Sequence, residues 1–195
     1  MFDITIIGKN KPNCIVLIHG LFSHPGFWLR YLRLFNGSCL VLVSVNYDRL
    51  PIIDEYIVDL KRDLKRFLAH KSAIKLIAHS LGSYVALKLG SIPNVESYHI
   101  CPVYSADRKN RKMFVNLLHE MQPNLNHDEI YEILKSVNSV LELEKKLVCK
   151  ATIDQLNSYV PKEDLFFEYS LTGNEINFEG DHFDIYSALK KITQN

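Results

Sequence analysis

The sequence predicts an α/β fold in which a mostly parallel sheet is covered by helices on both faces. Two observations support this prediction: apolar, strand-like runs alternate with helical segments, and one long amphipathic helix lies between two of the runs. The chain has 195 residues, 47% of them hydrophobic, which is enough for one domain with a substantial core spanning residues 1–195. The predicted strands are residues 3–7, 14–18, 39–45, 73–78, 97–101, 147–153 and 175–179.

The clearest predicted helix spans residues 54–70. Its apolar side chains recur at helical spacing and form one stripe that should pack on the sheet. Two further helices are predicted at residues 81–89 and 184–192, each following a predicted strand. The stripe consists of Ile57, Leu60, Leu64, Phe67 and Leu68.

Residues 105–146 differ from the rest of the chain because they contain no strand-like run. Two helical stretches, at about 108–121 and 127–146, flank a polar break that contains Pro123. The segment is either a small helical lid inserted into the domain or a pair of ordinary helices on a sheet face.

Composition and charge exclude several classes of protein. The formal net charge is +1, so no long-range attraction to nucleic acid is expected. No apolar run is long enough to span a bilayer, and the N-terminus lacks the features of a signal peptide, which predicts a cytoplasmic location. The four cysteines lie in or beside apolar runs and are predicted to be buried thiols: Cys14, Cys39, Cys101 and Cys149.

The segment around Ser80 predicts a nucleophile elbow. A serine lies where an apolar strand passes into a helix, with Ala78 two residues before it and Gly82 two residues after it. Such a turn strains the serine backbone and leaves room only for small flanking side chains. The usual pattern has glycine at both flanks, and the methyl group of Ala78 is the smallest possible addition.

Two other motifs stand in a matching chain order. A predicted strand ends at His19-Gly20, and the sequence Gly180-Asp181-His182-Phe183 follows the last predicted strand. With the elbow between these motifs, the chain resembles the α/β-hydrolase family over about residues 13–190. This resemblance implies the α/β-hydrolase fold and a small serine esterase, lipase or thioesterase. It also implies that residues 105–146 form a small helical lid, because an insertion in this part of the chain often covers the site in the family.

The resemblance assigns His182 as the base that takes the proton of Ser80, and Phe183 is expected to pack beneath it. An imidazole has a pKa suited to this task. His79 neighbours the serine, but its side chain should point away from the reacting face, so a supporting role is expected. His19 is expected to shape its loop by a hydrogen bond rather than to transfer a proton.

The resemblance also implies that the backbone N–H groups of Leu21 and Leu81 form the oxyanion hole. The nearby side chains of Phe22, Phe27 and Trp28, with that of Leu21, are candidates for the wall of an apolar acyl pocket. The alternative is that these aromatic side chains belong to the core.

The acid of the triad is where the sequence departs from the family pattern. The family places an Asp shortly before a Val-Pro pair, here Val160-Pro161, but the residue three positions before Val160 is Asn157. The nearest upstream carboxylate is Asp154, directly after the predicted strand 147–153. Since a carboxylate stabilises the cationic histidine and an amide does not, Asp154 is the preferred prediction and Asn157 the alternative.

These features predict hydrolysis of a carboxylic ester or thioester through an acyl-enzyme on Ser80. No cofactor is needed, and no metal-ligand spacing is present. The substrate is expected to be a small-molecule acyl ester or thioester. A basic cluster at the start of residues 105–146 either docks an acyl carrier protein or coenzyme A, or is a solvated face. It consists of Arg108, Lys109, Arg111 and Lys112.

Two alternatives to hydrolysis remain. Transfer of the acyl group to an acceptor other than water would make the protein an acyltransferase. A site that lacks a competent acid would make it a non-catalytic, hydrolase-like binding protein, which the uncertain acid position keeps open.

Overall fold

The computed structural model describes residues 1–90, 92–102, 116, 119–120, 123–132, 134–135, 157–162 and 174–194. Within these residues, seven strands form one sheet. They are β1 (Phe2–Ile7), β2 (Cys14–Ile18), β3 (Cys39–Val45), β4 (Ile74–His79), β5 (Val95–Ile100), β6 (Asn157–Pro161) and β7 (Asn174–Phe178).

The strand order is β1-β3-β2-β4-β5-β6-β7. Strand β1 pairs with β3 in the antiparallel sense, and all other neighbouring pairs are parallel. The predicted fold class, a mostly parallel sheet in an α/β protein, is therefore confirmed. Because the parallel strands all end at the same edge, the loops after β2, β4, β5 and β7 meet there.

Helices cover both faces of the sheet. Helices α1 (Ile53–Leu68) and α2 (Gly82–Leu89) pack on one face, and a 3-10 helix (Pro25–Phe35) and helix α3 (Tyr186–Gln194) pack on the other. A second 3-10 helix (Tyr47–Ile52) leads into α1. The apolar stripe of α1 is buried at Ile57, Leu60 and Leu64, as the helical spacing predicts.

Strand β6 is the main difference from the sequence prediction. Its sequence, Asn-Ser-Tyr-Val-Pro, contains residues typical of turns, yet Ser158 to Pro161 are buried between β5 and β7. Neighbouring strands, and not local preference, therefore hold this segment extended. The predicted strand at residues 147–153 lies outside the described residues.

The described part of residues 105–146 is helical at 116, 119–120, 127–132 and 134–135. In it, Ile130 and Leu134 are buried and pack with Leu125 against Leu21 and Phe22 of the loop after β2. Most of the predicted lid lies outside the described residues. Among those described, no helix has the length and apolar character needed to cross a membrane.

Candidate active site

Ser80 follows β4 at the edge where the parallel strands end. Its φ of +53° is in the left-handed region, which a non-glycine residue adopts only under constraint. Its backbone N–H donates to the carbonyl of Ile100 at 2.9 Å, and the side chain is 7% exposed. The backbone is thus turned sharply between β4 and α2, as the elbow motif predicts.

Gly82 shows why the elbow requires a small residue. A Cβ atom at this position would lie 2.6 Å from the carbonyl oxygen of His19 and 2.7 Å from that of Ile18. Both neighbours are backbone atoms of the segment where β2 ends, so neither can yield easily. Glycine therefore lets the first turn of α2 approach this segment closely.

Backbone strain is concentrated at this edge of the sheet. Among the described residues, four that are not glycine have positive φ, and three of them follow the ends of β2, β4 and β5: Phe22 (+55°), Ser80 (+53°) and Cys101 (+48°). Strained backbone in three adjacent loops is characteristic of a functional site.

His182 lies against Ser80 although 102 positions separate the two residues. Its Nε2 is 2.9 Å from Oγ of Ser80, and the imidazole is 2% exposed. Burial, followed by the nearby His79, lowers the pKa of His182 well below its ordinary value. The ring is therefore neutral at pH 7 and able to accept a proton from the hydroxyl.

A tight loop holds His182 in place. Oδ1 of Asp181 accepts hydrogen bonds from the backbone N–H groups of Phe183 and Asp184, at 2.7 and 2.8 Å. Gly180 has a φ of +140°, and a Cβ atom there would lie 2.1 Å from the carbonyl oxygen of Asp184. The ring of Phe183 meets that of His182 edge to face at 5.2 Å, consistent with the expected packing.

His19 has a different arrangement. Its Nδ1 is 2.8 Å from the carbonyl oxygen of Gly20, and the backbone N–H of Val45 donates to its Nε2 at 3.0 Å. Since a carbonyl only accepts, Nδ1 carries the proton. Nδ1 thus fixes Gly20 within the loop and Nε2 joins the loop to β3, so both ring nitrogens are used and His19 shapes the loop, as the sequence predicts.

The loop after β2 lies directly against the serine. A Cβ atom at Gly20 would be 2.8 Å from Cβ of Ser80 and 3.3 Å from its Oγ. The next residue is Leu21, and Leu81 follows Ser80 at the start of α2. The loop that carries Leu21 therefore lies against the serine that Leu81 follows, and the assignment of their N–H groups to an oxyanion hole stays a prediction.

The aromatic side chains divide between the core and the site. Trp28 is 0% exposed and packs in the core beneath the 3-10 helix, so its prediction as a substrate-pocket residue is corrected. Phe27 is also in this core and stacks on His79 with ring centroids 5.0 Å apart. Phe22 is half-buried and packs with Ile130, and its assignment to a substrate pocket stays a prediction.

The acid position follows from the strand register. Asn157 begins β6 and pairs with Tyr98, two residues before Ile100, whose carbonyl binds Ser80. It therefore lies about 7 Å below the level of the serine and two strands away from it. The alternative that Asn157 fills the acid position is thus corrected, because Asn157 is at the wrong end of its strand.

Asp154 lies outside the described residues and precedes β6 in the chain. In the described sheet, the strand before β7 is β6, which ends at Pro161. The chain between the two strands contains the carboxylates Glu163, Asp164 and Glu168, which the sequence analysis did not consider and which also lie outside the described residues. A correct assignment of β6 would have drawn attention to them.

The described cysteines are buried free thiols, as predicted for Cys14, Cys39 and Cys101, whereas Cys149 is not described. Within the part of the chain that the structure describes, no three His, Cys, Asp or Glu residues are grouped so that they could hold a metal ion.

Comparison with solved structures identifies the fold. The whole chain superposes on 97% of a lipase-esterase related protein from Clostridium acetobutylicum, with a TM-score of 0.58 and 16% identity. It also covers 97% of a monoacylglycerol lipase from Paleococcus ferrophilus (TM-score 0.56, 15% identity) and 95% of the thioesterase domain from the curacin biosynthetic pathway (TM-score 0.58, 13% identity). The covered share of this chain is 100% in all three cases.

The chain therefore has the α/β-hydrolase fold. A scan against protein-family models gives no match, and a search of curated proteins gives none either.

Proposed function

We propose that the protein is a serine hydrolase that cleaves a carboxylic ester or thioester through an acyl-enzyme on Ser80. The observation that carries the proposal is the 2.9 Å contact between Oγ of Ser80 and Nε2 of His182 at a strained elbow. A buried, neutral imidazole beside a hydroxyl is the arrangement that activates a serine as a nucleophile.

The proposed reaction has two stages. His182 takes the proton of Ser80 as Oγ attacks the acyl carbon, and then gives that proton to the leaving alcohol or thiol as the bond to it breaks. In the second stage, water attacks the acyl-enzyme, loses a proton to His182 and releases the carboxylic acid as Ser80 regains its proton.

The oxyanion hole is proposed to consist of the N–H groups of Leu21 and Leu81. Support comes from the close approach of Gly20 to Ser80, which sets the loop after β2 against the nucleophile. The N-terminal end of α2 adds the favourable end of a helix dipole at the same place. Loss of one such donor typically costs about 3 kcal/mol in the transition state.

The substrate class is proposed from the apolar surroundings of the loop after β2. Leu21 and Phe22 pack with Ile130 and Leu134 of the helical segment, so an acyl chain that enters beside them would contact hydrocarbon. This packing supports a helical lid within residues 105–146. The lipase, esterase and thioesterase that share the fold are consistent with an ester or thioester substrate.

Substitution of carboxylates tests the acid of the proposed triad. Asp154 is the sequence prediction, and Glu163, Asp164 and Glu168 are the carboxylates between β6 and β7. Replacing the true acid by its amide should lower kcat by about four orders of magnitude with little change in KM. Comparing Asp154→Asn, Glu163→Gln, Asp164→Asn and Glu168→Gln would identify it, and unchanged activity in all four would show that none of these carboxylates is the acid. Wild-type protein that hydrolyses no ester would instead favour the non-catalytic binding protein.

A serine-reactive fluorophosphonate probe tests the function. Wild-type protein should be labelled and should hydrolyse short p-nitrophenyl esters, whereas Ser80→Ala should do neither and remain folded by circular dichroism. Ser83→Ala is the matched control: Ser83 lies in the same motif, is 0% exposed, and its hydroxyl has no hydrogen-bond partner among the described residues. Labelling that survives Ser80→Ala would refute the proposal.

An acyl carrier protein or coenzyme A is proposed as the carrier of the acyl group because of the basic cluster at residues 108–112, which lies outside the described residues. Replacing its four cations by neutral residues should raise KM for carrier-linked thioesters, more strongly at low salt, and leave short neutral esters unaffected. Equal effects on both substrates would show that the cluster is a solvated face.

Acyl transfer instead of hydrolysis is tested separately. It would appear as a product that forms only when an acceptor other than water is added.

A further inference from the structure

His79 is a second buried histidine at the site, and the proposed reaction gives it no role. It ends β4, directly before Ser80, and is 4% exposed. Its ring stacks on Phe27, with an angle of 14° between the ring planes, and meets the edge of Trp28 at 6.5 Å. The imidazole is therefore held in one orientation by aromatic neighbours on the core side of the elbow.

The polar contact of His79 is directed at the backbone of His182. Nε2 of His79 lies 2.8 Å from the carbonyl oxygen of His182. Because a carbonyl only accepts, Nε2 must carry the proton and donate it. Burial lowers the pKa of His79 to about 4, so the ring stays neutral at pH 7 and keeps this tautomer.

His79 also touches the third component of the site. A Cβ atom at Gly20 would lie 3.4 Å from Nδ1 of His79, so the ring borders the loop after β2. Within the described part of the chain, Nδ1 has no hydrogen-bond partner. The ring of His79 is thus linked to three parts of the site. His79 directly precedes Ser80 in the chain, its ring contacts the loop after β2, and its Nε2 donates a hydrogen bond to His182.

We propose that His79 is a positioning residue that keeps the His182 loop in register with Ser80. The inference rests on the proposed function. The hydrogen bond to the carbonyl of His182 fixes the backbone that carries the base, and the stack on Phe27 fixes the donor. Without the donor, the loop would be free to move relative to the serine, and a displacement of about 1 Å can lower the rate by about 10²-fold.

The competing explanation is that His79 merely fills space in the core. Two substitutions separate the explanations. His79→Phe keeps a planar ring against Phe27 but removes the donor, and His79→Gln loses the ring but places an N–H near the position of Nε2. A space-filling role favours the Phe variant, whereas a positioning role favours the Gln variant.

The experiment measures kcat and KM for a p-nitrophenyl ester, the single-turnover rate of fluorophosphonate labelling, and the unfolding midpoint of each variant. We expect His79→Phe to lower kcat and the labelling rate by about 10-fold to 10²-fold at unchanged KM, and His79→Gln to stay within about 3-fold of wild type. Equal activity of the two variants, or a more active Phe variant, would overturn the inference. If His79→Phe does not fold, His79→Leu provides the same comparison.

His99→Gln is the matched control. His99 is 1% exposed, its Nε2 lies 3.0 Å from Oγ of Ser97, and it lies on β5, beside Ala78 of β4. This variant should lower the unfolding midpoint without a loss of kcat, whereas an equal loss of kcat would show that any buried histidine has this effect. Failure of the probe to label wild-type protein would refute the proposed function itself. The comparison of the His79 variants tests only the positioning role, so the two failures are distinguishable.

Discussion

His19 and His182 occupy comparable places in the fold but have different partners. Each lies just after a strand, at the same edge of the sheet, and each is at most 2% exposed. Burial is the first cause that lowers the pKa of both imidazoles. Yet His19 uses both ring nitrogens on backbone groups, whereas Nε2 of His182 faces the hydroxyl of Ser80.

The comparison shows that burial and a lowered pKa do not by themselves identify a catalytic histidine. His79 and His99 are also buried, and burial lowers the pKa of each to about 4. A perturbed pKa is evidence for function only in combination with a partner that can take part in a reaction. Here that partner is the strained serine, which makes His182 the proposed base.

The largest expected effect on kcat is that of replacing His182, which distinguishes it from His19. His182→Gln should lower kcat for a p-nitrophenyl ester by about 10⁴-fold or more, because the imidazole that lies 2.9 Å from Oγ of Ser80 would no longer take its proton. Steady-state kinetics and the unfolding midpoint should be measured together. A fall of less than about 10-fold in a folded variant would contradict the assignment of His182 as the base.

His19→Ala should have the opposite profile. The change leaves the buried N–H of Val45 without its acceptor and opens a cavity, so the free energy of unfolding should fall by about 3 kcal/mol. Urea unfolding measures this loss. The effect on kcat should be smaller than that of His182→Gln, since His19 shapes the loop and exchanges no proton; a loss of kcat as large as that of His182→Gln would contradict this division of roles.

The pH dependence of stability tests what the buried histidines share. Their pKa values are lowered in the folded protein, so below pH 6.5 the unfolded chain binds more protons and stability falls. A pKa lowered from 6.5 to about 4 costs about 2 kcal/mol at pH 5, for His79 and for His99 alike.

Urea unfolding at pH 7 and pH 5 measures this loss. His99→Gln should be less sensitive to pH than wild type, since one of the groups that gain a proton on unfolding is removed. Stability that is equal at the two pH values would show that these histidines are not held neutral by burial.

The smallest effect is expected for Asn157→Ala. Because Asn157 lies at the amino end of β6, far from the serine, kcat should stay within about 2-fold of wild type. The same kinetic assay checks this expectation. A loss of two or more orders of magnitude would restore Asn157 to the acid position and contradict the register of β6.

The sequence alone predicted the parts of this protein that depend on local chemistry. The alternation of apolar runs with helical segments predicted the α/β class. The helical spacing of apolar residues predicted α1 to within two residues of its observed ends. The small residues around Ser80 predicted the turn, because a tight strand-to-helix turn requires small side chains and residue size is given directly by the sequence. The positive φ of Ser80 and the tight approach at Gly82 agree with that reasoning.

Tertiary structure decided what depends on neighbours. Strand β6 is extended because β5 and β7 enclose it, which the turn-like residues Asn157 and Pro161 conceal. Its position in turn decides that Asn157 lies far from the serine. The burial of Trp28 and the hydrogen bond from His79 to His182 were likewise decided by tertiary structure. Contacts between residues far apart in the chain exist only once the sheet and its loops are assembled.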